Sequence, residues 1–259
     1  TIRIEINGEL PPNVMSKDVI LRIIGDLTAA GATYRALEFT GDTVEAMSLS
    51  SRMTMANMGI EAGAKCALFA PDEKTAEYLG IELTDAERAL AGDADAPCEK
   101  VLRYRAEDFV PVMALPSNVD HVAAIRDLEP VAIDQVFLGS CTNGRLEDLM
   151  AAAEVLKGKH IAPFVKLIVT PASRKIWEEA EANGTLATLS AAGAMITHPS
   201  CGLCCGRTGG ILSDGERVVA TNNRNFLGRM GSSKVEIYLA SPKSAAASAL
   251  TGRLTEAAC

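Results

Sequence analysis

Short apolar runs, each followed by a turn and a helical pattern, recur along this chain, and that alternation narrows its fold more than any single motif. In the second half such runs are Asp134–Leu138, Val165–Thr170 and Ala194–Thr197, with helical patterns at Arg145–Lys157 and Ser173–Asn183. Strands joined through helices pair in parallel and lie in sheets covered on both faces. Val218–Ala220 and Val235–Leu239 read as later strands, and a helix from Ser244 to about Thr251 closes the pattern. The first half runs likewise. Thr1–Ile6 alternates like a strand, and Ser16 can cap a helix from Lys17 to about Ala30 with Val19, Ile20, Ile23, Ile24 and Leu27 on one face. Arg35–Thr40 and Cys66–Ala70 read as buried strands, with Cys66 a small buried hydrophobe. Between them Thr43 opens a long helix reaching Ala64, and after them Glu73–Leu79 forms a short one. Thr84–Asp95, charged and rich in Ala and Asp, covers a surface. Pro111 and Pro116 punctuate an irregular stretch. The expected fold is α/β with mainly parallel sheets, in two three-layer domains over residues 1–105 and 106–259.

Composition removes several functional classes. The formal net charge of −8, from 25 basic and 33 acidic residues, opposes nucleic acid as the main partner, because phosphate binding needs a basic face. No apolar run reaches the ~20 residues of a membrane span. No signal peptide is visible, and the seven cysteines are an odd number without a disulfide-framework spacing. Reduced thiols in the cytoplasm are expected. The chain opens without an initiator Met, directly in strand-like sequence, and reads as a piece whose upstream part is missing.

Chemistry concentrates in the turns. Gly139-Ser140-Cys141-Thr142-Asn143 places a cysteine between a strand and a helix, at the carboxyl edge of a parallel sheet where open α/β folds bind ligands. A helix N-terminus there favours a thiolate or an anionic cluster. Cys201-Gly202-Leu203-Cys204 follows another strand, and Gly202 and Gly206 let backbone N–H groups approach nearby sulfurs. A C-x-x-C pair by itself suits zinc (with His198 as a further ligand), a redox dithiol or an iron–sulfur centre. Three thiolates, Cys141, Cys201 and Cys204, can hold a four-iron cluster and leave one iron without a protein ligand, open to act as a Lewis acid.

Two further stretches carry polar groups in unusual settings. Arg224 and Arg229, five apart in Thr221-Asn222-Asn223-Arg224-Asn225-Phe226-Leu227-Gly228-Arg229, form no helical stripe, and two guanidinium forks suit a dicarboxylate. A pair of surface arginines is the plainer alternative. Asn57 and Glu61, four apart on one helix face amid apolar sequence, either end that helix in solvent or point at a bound metal's water.

Together these stretches resemble the aconitase superfamily, within it the large subunits of 3-isopropylmalate dehydratase and their homoaconitase relatives. The matching stretches are GSCTNGR (139–145), SCGLCCG (200–206), TNNRNFLGRMG (221–231), NMGIEAGA (57–64), SKDVIL (16–21) and EIYLASPKSAAASA (236–249). The resemblance implies aconitase-like domains 2 and 3, and a 4Fe-4S cluster on Cys141, Cys201 and Cys204 with one labile iron. It implies Asn57 and Asn223 beside that cluster, Glu61 at the iron-bound hydroxyl, and Arg224 and Arg229 on substrate carboxylates. Cys205 is an extra thiol beside the motif. The implied reaction is the isomerisation of 2- and 3-isopropylmalate by dehydration and rehydration, in leucine biosynthesis. Homocitrate or 2,3-dimethylmalate are the alternative substrates, and a zinc or redox dithiol protein using Cys201 and Cys204 is the alternative of another class. An upstream domain with an Asp-His and a Ser-His pair, and a swivelling domain with the catalytic serine, have no counterpart here. The resemblance therefore implies a heteromer with a small subunit and an N-terminal domain, and a chain inactive alone.

Overall fold

The computed structural model describes residues 1–93 and 95–258. Ala94, in the expected surface segment, and Cys259, at the end of the expected second domain, lie outside the described residues. Eleven strands are described: β1 (Ile2–Asn7), β2 (Ala36–Thr40), β3 (Cys66–Phe69), β4 (Lys100–Arg105), β5 (Val112–Ala114), β6 (Val122–Ala124), β7 (Gln135–Gly139), β8 (Lys166–Thr170), β9 (Met195–Ile196), β10 (Arg217–Ala220) and β11 (Glu236–Leu239). They form two sheets, ordered β3-β2-β1-β4 and β6-β5-β11-β10-β7-β8-β9. The first is wholly parallel; in the second only the pairings of β5 with β6 and β11 are antiparallel. The expected α/β class with mainly parallel sheets is what the chain adopts.

The strand order of the second sheet positions the site. From β7 the chain adds β8 and β9 on one side, then returns to lay β10 and β11 on the other. The crevice outside the carboxyl ends of β7 and β10 is thus a topological switch point, where the connecting loops diverge and leave room for a ligand. The turn bearing Cys141 and the loop from Thr221 to Arg229 both leave the sheet there.

Two apolar clusters hold the layers. Val136, Leu138, Leu167 and Val169 face Leu149, Ala152, Leu189 and Ala249 of the helices on one side of the second sheet. Phe137 and Ile168, pointing oppositely on the same strands, join Val218 of β10 in a cluster that also contains Ile4, Ile6, Ile20 and Ile24 of the first half. Residue alternation along the strands therefore sends one face to each cluster. In the first sheet Ile2, Ile4 and Ile6 are buried while the other face carries the Arg3–Glu38 ion pair.

Several elements differ from their sequence expectation for identifiable reasons. The first helix is Ser16–Leu27, entered from Met15; the Asp18 carboxylate accepts from Met15 N at 2.9 Å, so Asp18 satisfies the helix start and Ser16 lies inside it. The single helix expected from Thr43 to Ala64 is three pieces, Asp42–Ala46, Leu49–Met58 and a 3-10 turn Gly59–Ala62. Ser48 breaks it by accepting from Ser51 N and starting a new helix. Cys66 is exposed on the edge strand β3, not buried. A helix at Thr185–Ala191 and the short strands β5 and β6 carry too little periodicity to be read from sequence.

Candidate active site

Construction begins at the end of β7. Gly139 has φ +142°, and a Cβ there would stand 2.1 Å from Thr170 O of β8, so only glycine lets the chain turn off the sheet at this point. Ser140 follows at φ +68°, and Ser140–Asn143 forms one short helical turn that presents Cys141 to solvent. The Thr221 hydroxyl accepts from Gly139 N at 2.9 Å and ties the turn to the loop after β10.

Helix Leu49–Met58 reaches this turn from the first half. Thr54 donates its hydroxyl to Thr142 O at 3.0 Å, and Asn57 Nδ2 lies 3.9 Å from Cys141 Sγ. Asn143 donates to Thr54 Oγ1 at 3.4 Å and to Asp148 Oδ1 at 3.1 Å. Asp148 also accepts from Arg145 N, capping helix Leu146–Leu156. Burial pushes the Asp148 carboxyl up to about 7, against the pull of the Asn143 bond.

The loop after β10 completes the cluster of polar groups. Asn223 donates to Asn57 Oδ1 and accepts from the Thr142 hydroxyl, so Cys141, Asn57, Asn223 and Thr142 form one network. Next to it, Arg224 Nε donates to Glu61 Oε1 at 2.8 Å; the Glu61 side chain is 5% exposed and that of Arg224 38%. Glu61 is thus buried and paired, not a solvated helix end. Arg229 turns the other way, donating to Cys204 O at 2.8 Å, with Nη2 4.0 Å from Cys204 Sγ.

The third component is the turn Gly202–Cys205 after β9. Cys204 N donates to Cys201 O, and Gly206, at φ +65°, lets this turn pack on Arg229 O, 3.0 Å from where a Cβ would sit. Asn222 Nδ2 lies 3.5 Å from Cys204 O. Cys201 is exposed and Cys204 buried, while the Cys205 thiol folds back on Gly202 O at 3.5 Å.

The structure therefore brings Cys141 together with Asn57 and Asn223, Glu61 with Arg224, and Cys204 with Arg229. Among the described residues, no three of the histidine, cysteine and carboxylate side chains are gathered closely enough to hold a metal ion. The surroundings nevertheless fit an anionic iron–sulfur group. The ligating groups are soft thiols, the Asn57 amide and the Arg229 guanidinium lie beside two of them, and two buried donors in and beside the Cys141 turn, Ser140 Oγ and Arg145 Nε, lack partners. A groove of about 1110 Å³ between Leu10, Met47 and Met150 includes none of these residues and lies apart from the chemistry. Sequence reasoning missed Thr142, Asn143, Asn222 and Asp148. All sit in or beside the quoted motifs, but their partners lie far along the chain or across the turn.

The chain is similar to proteins of one family. The family model for the aconitase family (aconitate hydratase) matches residues 1–132 and 125–252. The 3-isopropylmalate dehydratase large subunit 1 of Methanopyrus kandleri is 49% identical over 256 residues, which cover 99% of this chain and 61% of that protein. Large subunit 2 of Archaeoglobus fulgidus is 46% identical, covering 99% and 62%, and the Halothermothrix orenii large subunit 47%, covering 97% and 60%. The chain thus spans about three fifths of the length of these relatives. Among solved structures, Thermococcus kodakaraensis aconitase X aligns with a TM-score of 0.48 and 14% identity, over 91% of this chain and 52% of that one. With the family model matching nearly the whole chain in two consecutive stretches, the chain belongs to the aconitase family.

Proposed function

We propose that this chain is part of the large subunit of a hydro-lyase that interconverts 2- and 3-isopropylmalate, a step of leucine biosynthesis, at a 4Fe-4S cluster. The observation that carries the reading is the convergence of Cys141, Asn57, Asn223, Glu61 and Arg224 at the switch-point crevice. The names of the similar large subunits support the substrate. Cys141, Cys201 and Cys204 are the proposed ligands. Ligand sets of this kind assemble with the binding energy of the metal itself, so a turn with an exposed Cys201 suits closure on binding. When bound, the cluster would supply a Lewis-acidic iron that polarises the departing hydroxyl of the substrate.

The remaining work falls to side chains. Arg224 offers Nε to Glu61, and the rest of its fork is open enough to take a substrate carboxylate bidentately. Glu61, a buried carboxylate held by that guanidinium, is placed to accept a hydrogen bond from the substrate hydroxyl and fix its orientation. Arg229 fixes the Cys204 turn and directs its remaining N–H groups at a second carboxylate. Asn57 and Asn223 orient the sulfur of Cys141. The carbon-bound proton is taken by a serine of a small-subunit partner, and an N-terminal domain closes the site, so the chain alone is inactive. The assembly is a cytoplasmic heteromer; among the described residues no helix is long and apolar enough to cross a membrane. A division near 105/106 accords with the change from the first sheet, ending at Arg105, to the second, beginning at Val112.

The test is turnover. Supplied anaerobically with iron, sulfide, a small subunit and the N-terminal part of a large subunit, the chain converts 3-isopropylmalate faster than homocitrate or 2,3-dimethylmalate. Turnover of 3-isopropylmalate by the chain alone, or none by the assembly, contradicts the reading.

A further inference from the structure

The side chain of Lys17 has no exposure to solvent at all, although it sits in the first turn of helix Ser16–Leu27, where the helix dipole disfavours a cation. Its ammonium donates to two consecutive carbonyls, Thr221 O at 2.9 Å and Asn222 O at 2.7 Å. Among the described residues it makes no ion pair. A buried charge is costly in a low-dielectric interior, and neutral carbonyls repay it only in part. The titratable groups whose fields reach it are Asp148, Cys204, Glu61 and Asp18. Asp18 is itself turned away, accepting from Met15 N and Val112 N. Shape and apolar burial, which Val19, Ile20 and Leu21 already provide, do not account for a lysine here.

The two carbonyls belong to the residues just before Asn223 and Arg224, at the carboxyl end of β10. Thr221 is bonded to β7 through Phe137 O and Gly139 N, and Asn222 to Cys204 O. Lys17 thus grips from below the point where three parts of the site join.

Resting on the functional reading above, we propose that Lys17 is a positioning residue of this site: its buried side-chain nitrogen fixes the Thr221–Asn222 backbone so that Asn223 and Arg224 reach Asn57 and Glu61.

Lys17→Met keeps the length of the side chain and removes charge and donors, while Lys17→Gln keeps a donor without the charge. Hydrogen exchange read by mass spectrometry on the full chain needs neither cluster nor turnover. Peptides spanning 218–226 and Gly139 are expected to exchange at least about tenfold faster in both variants, with β1 and β8 within about twofold of the parent. In the assembled enzyme the KM for 3-isopropylmalate is expected to rise by more than kcat falls. Folded variants whose 218–226 segment stays as protected as the parent's overturn the proposal. So does exchange accelerated uniformly through both sheets, or failure of both variants to fold, since either makes Lys17 a general structural residue. A parent chain that binds no iron counts against the functional reading alone, because the exchange comparison still decides the role of Lys17.

Discussion

Glu61 and Arg224 lie 163 residues apart in sequence and meet at 2.8 Å, one side chain buried and the other half-exposed. Removing Arg224 strands a buried carboxylate, so Arg224→Leu is expected to lower unfolding stability by about 1–3 kcal/mol in urea titrations. Adding Glu61→Gln to that variant recovers part of the loss; a double variant as unstable as the sum of its singles contradicts the pairing. The buried titrating groups set a pH dependence whose sign can be worked out. Asp18 and Asp148 are pushed by burial from 3.8 to about 7 in the folded chain. Between those values the folded chain binds more protons than the unfolded one, so their contribution to stability falls as pH rises through that window. Lys17 is lowered by burial from 10.5 to about 7, and between 7 and 10.5 the unfolded chain binds more protons, so stability rises again. These groups together predict a minimum near neutrality. Asp148→Asn should flatten the acid limb in urea unfolding at stepped pH, and an unchanged limb contradicts the assignment. Cys141 and the two arginines could be singled out from sequence because glycine, cysteine and arginine advertise turns and anion binding. Lys17 could not, although it stands three and seven residues before Ile20 and Ile24 on the same apolar face; nothing local says which carbonyls await it.

At the scale of elements, turns decide more than helices. Gly139→Ala puts a Cβ against Thr170 O in a backbone region that side chains avoid, and is expected to cost about 3 kcal/mol or more. Gly80→Ala, at φ +68° with open space around it, should cost only about 1–2 kcal/mol. Thermal unfolding of the two variants tests the difference, and equal losses contradict it. Ser48 caps helix Leu49–Met58 and, with Ser51, donates to the Glu147 carboxylate, which joins the first half to helix Leu146–Leu156. Ser48→Ala should therefore cost about 1 kcal/mol. The cap escaped sequence reading because the apolar methionines run on through Met47 to Met58 and mask the break. Helix Glu73–Leu79, bounded by Asp72 and Gly80, was legible to the residue because its cap and stop are both local.

Taken whole, the molecule is one switch-point crevice fed by both halves. Helix Leu49–Met58 and the turn Gly59–Ala62 bring Asn57 and Glu61 from the first half; the segments after β7 and β10 bring Cys141, Asn223 and Arg224 from the second. Strand–helix alternation made the α/β class readable, but the return of the chain from β9 to β10, which creates the crevice, leaves no mark in the sequence. The measurement that bears most directly on the account is iron and acid-labile sulfide per chain after anaerobic reconstitution, for the parent and for Cys141→Ser, Cys201→Ser, Cys204→Ser and Cys205→Ser. The parent and Cys205→Ser should retain about four of each, and the other three variants should lose most of both. Full retention by Cys141→Ser, or a parent that takes up zinc and no iron, contradicts it.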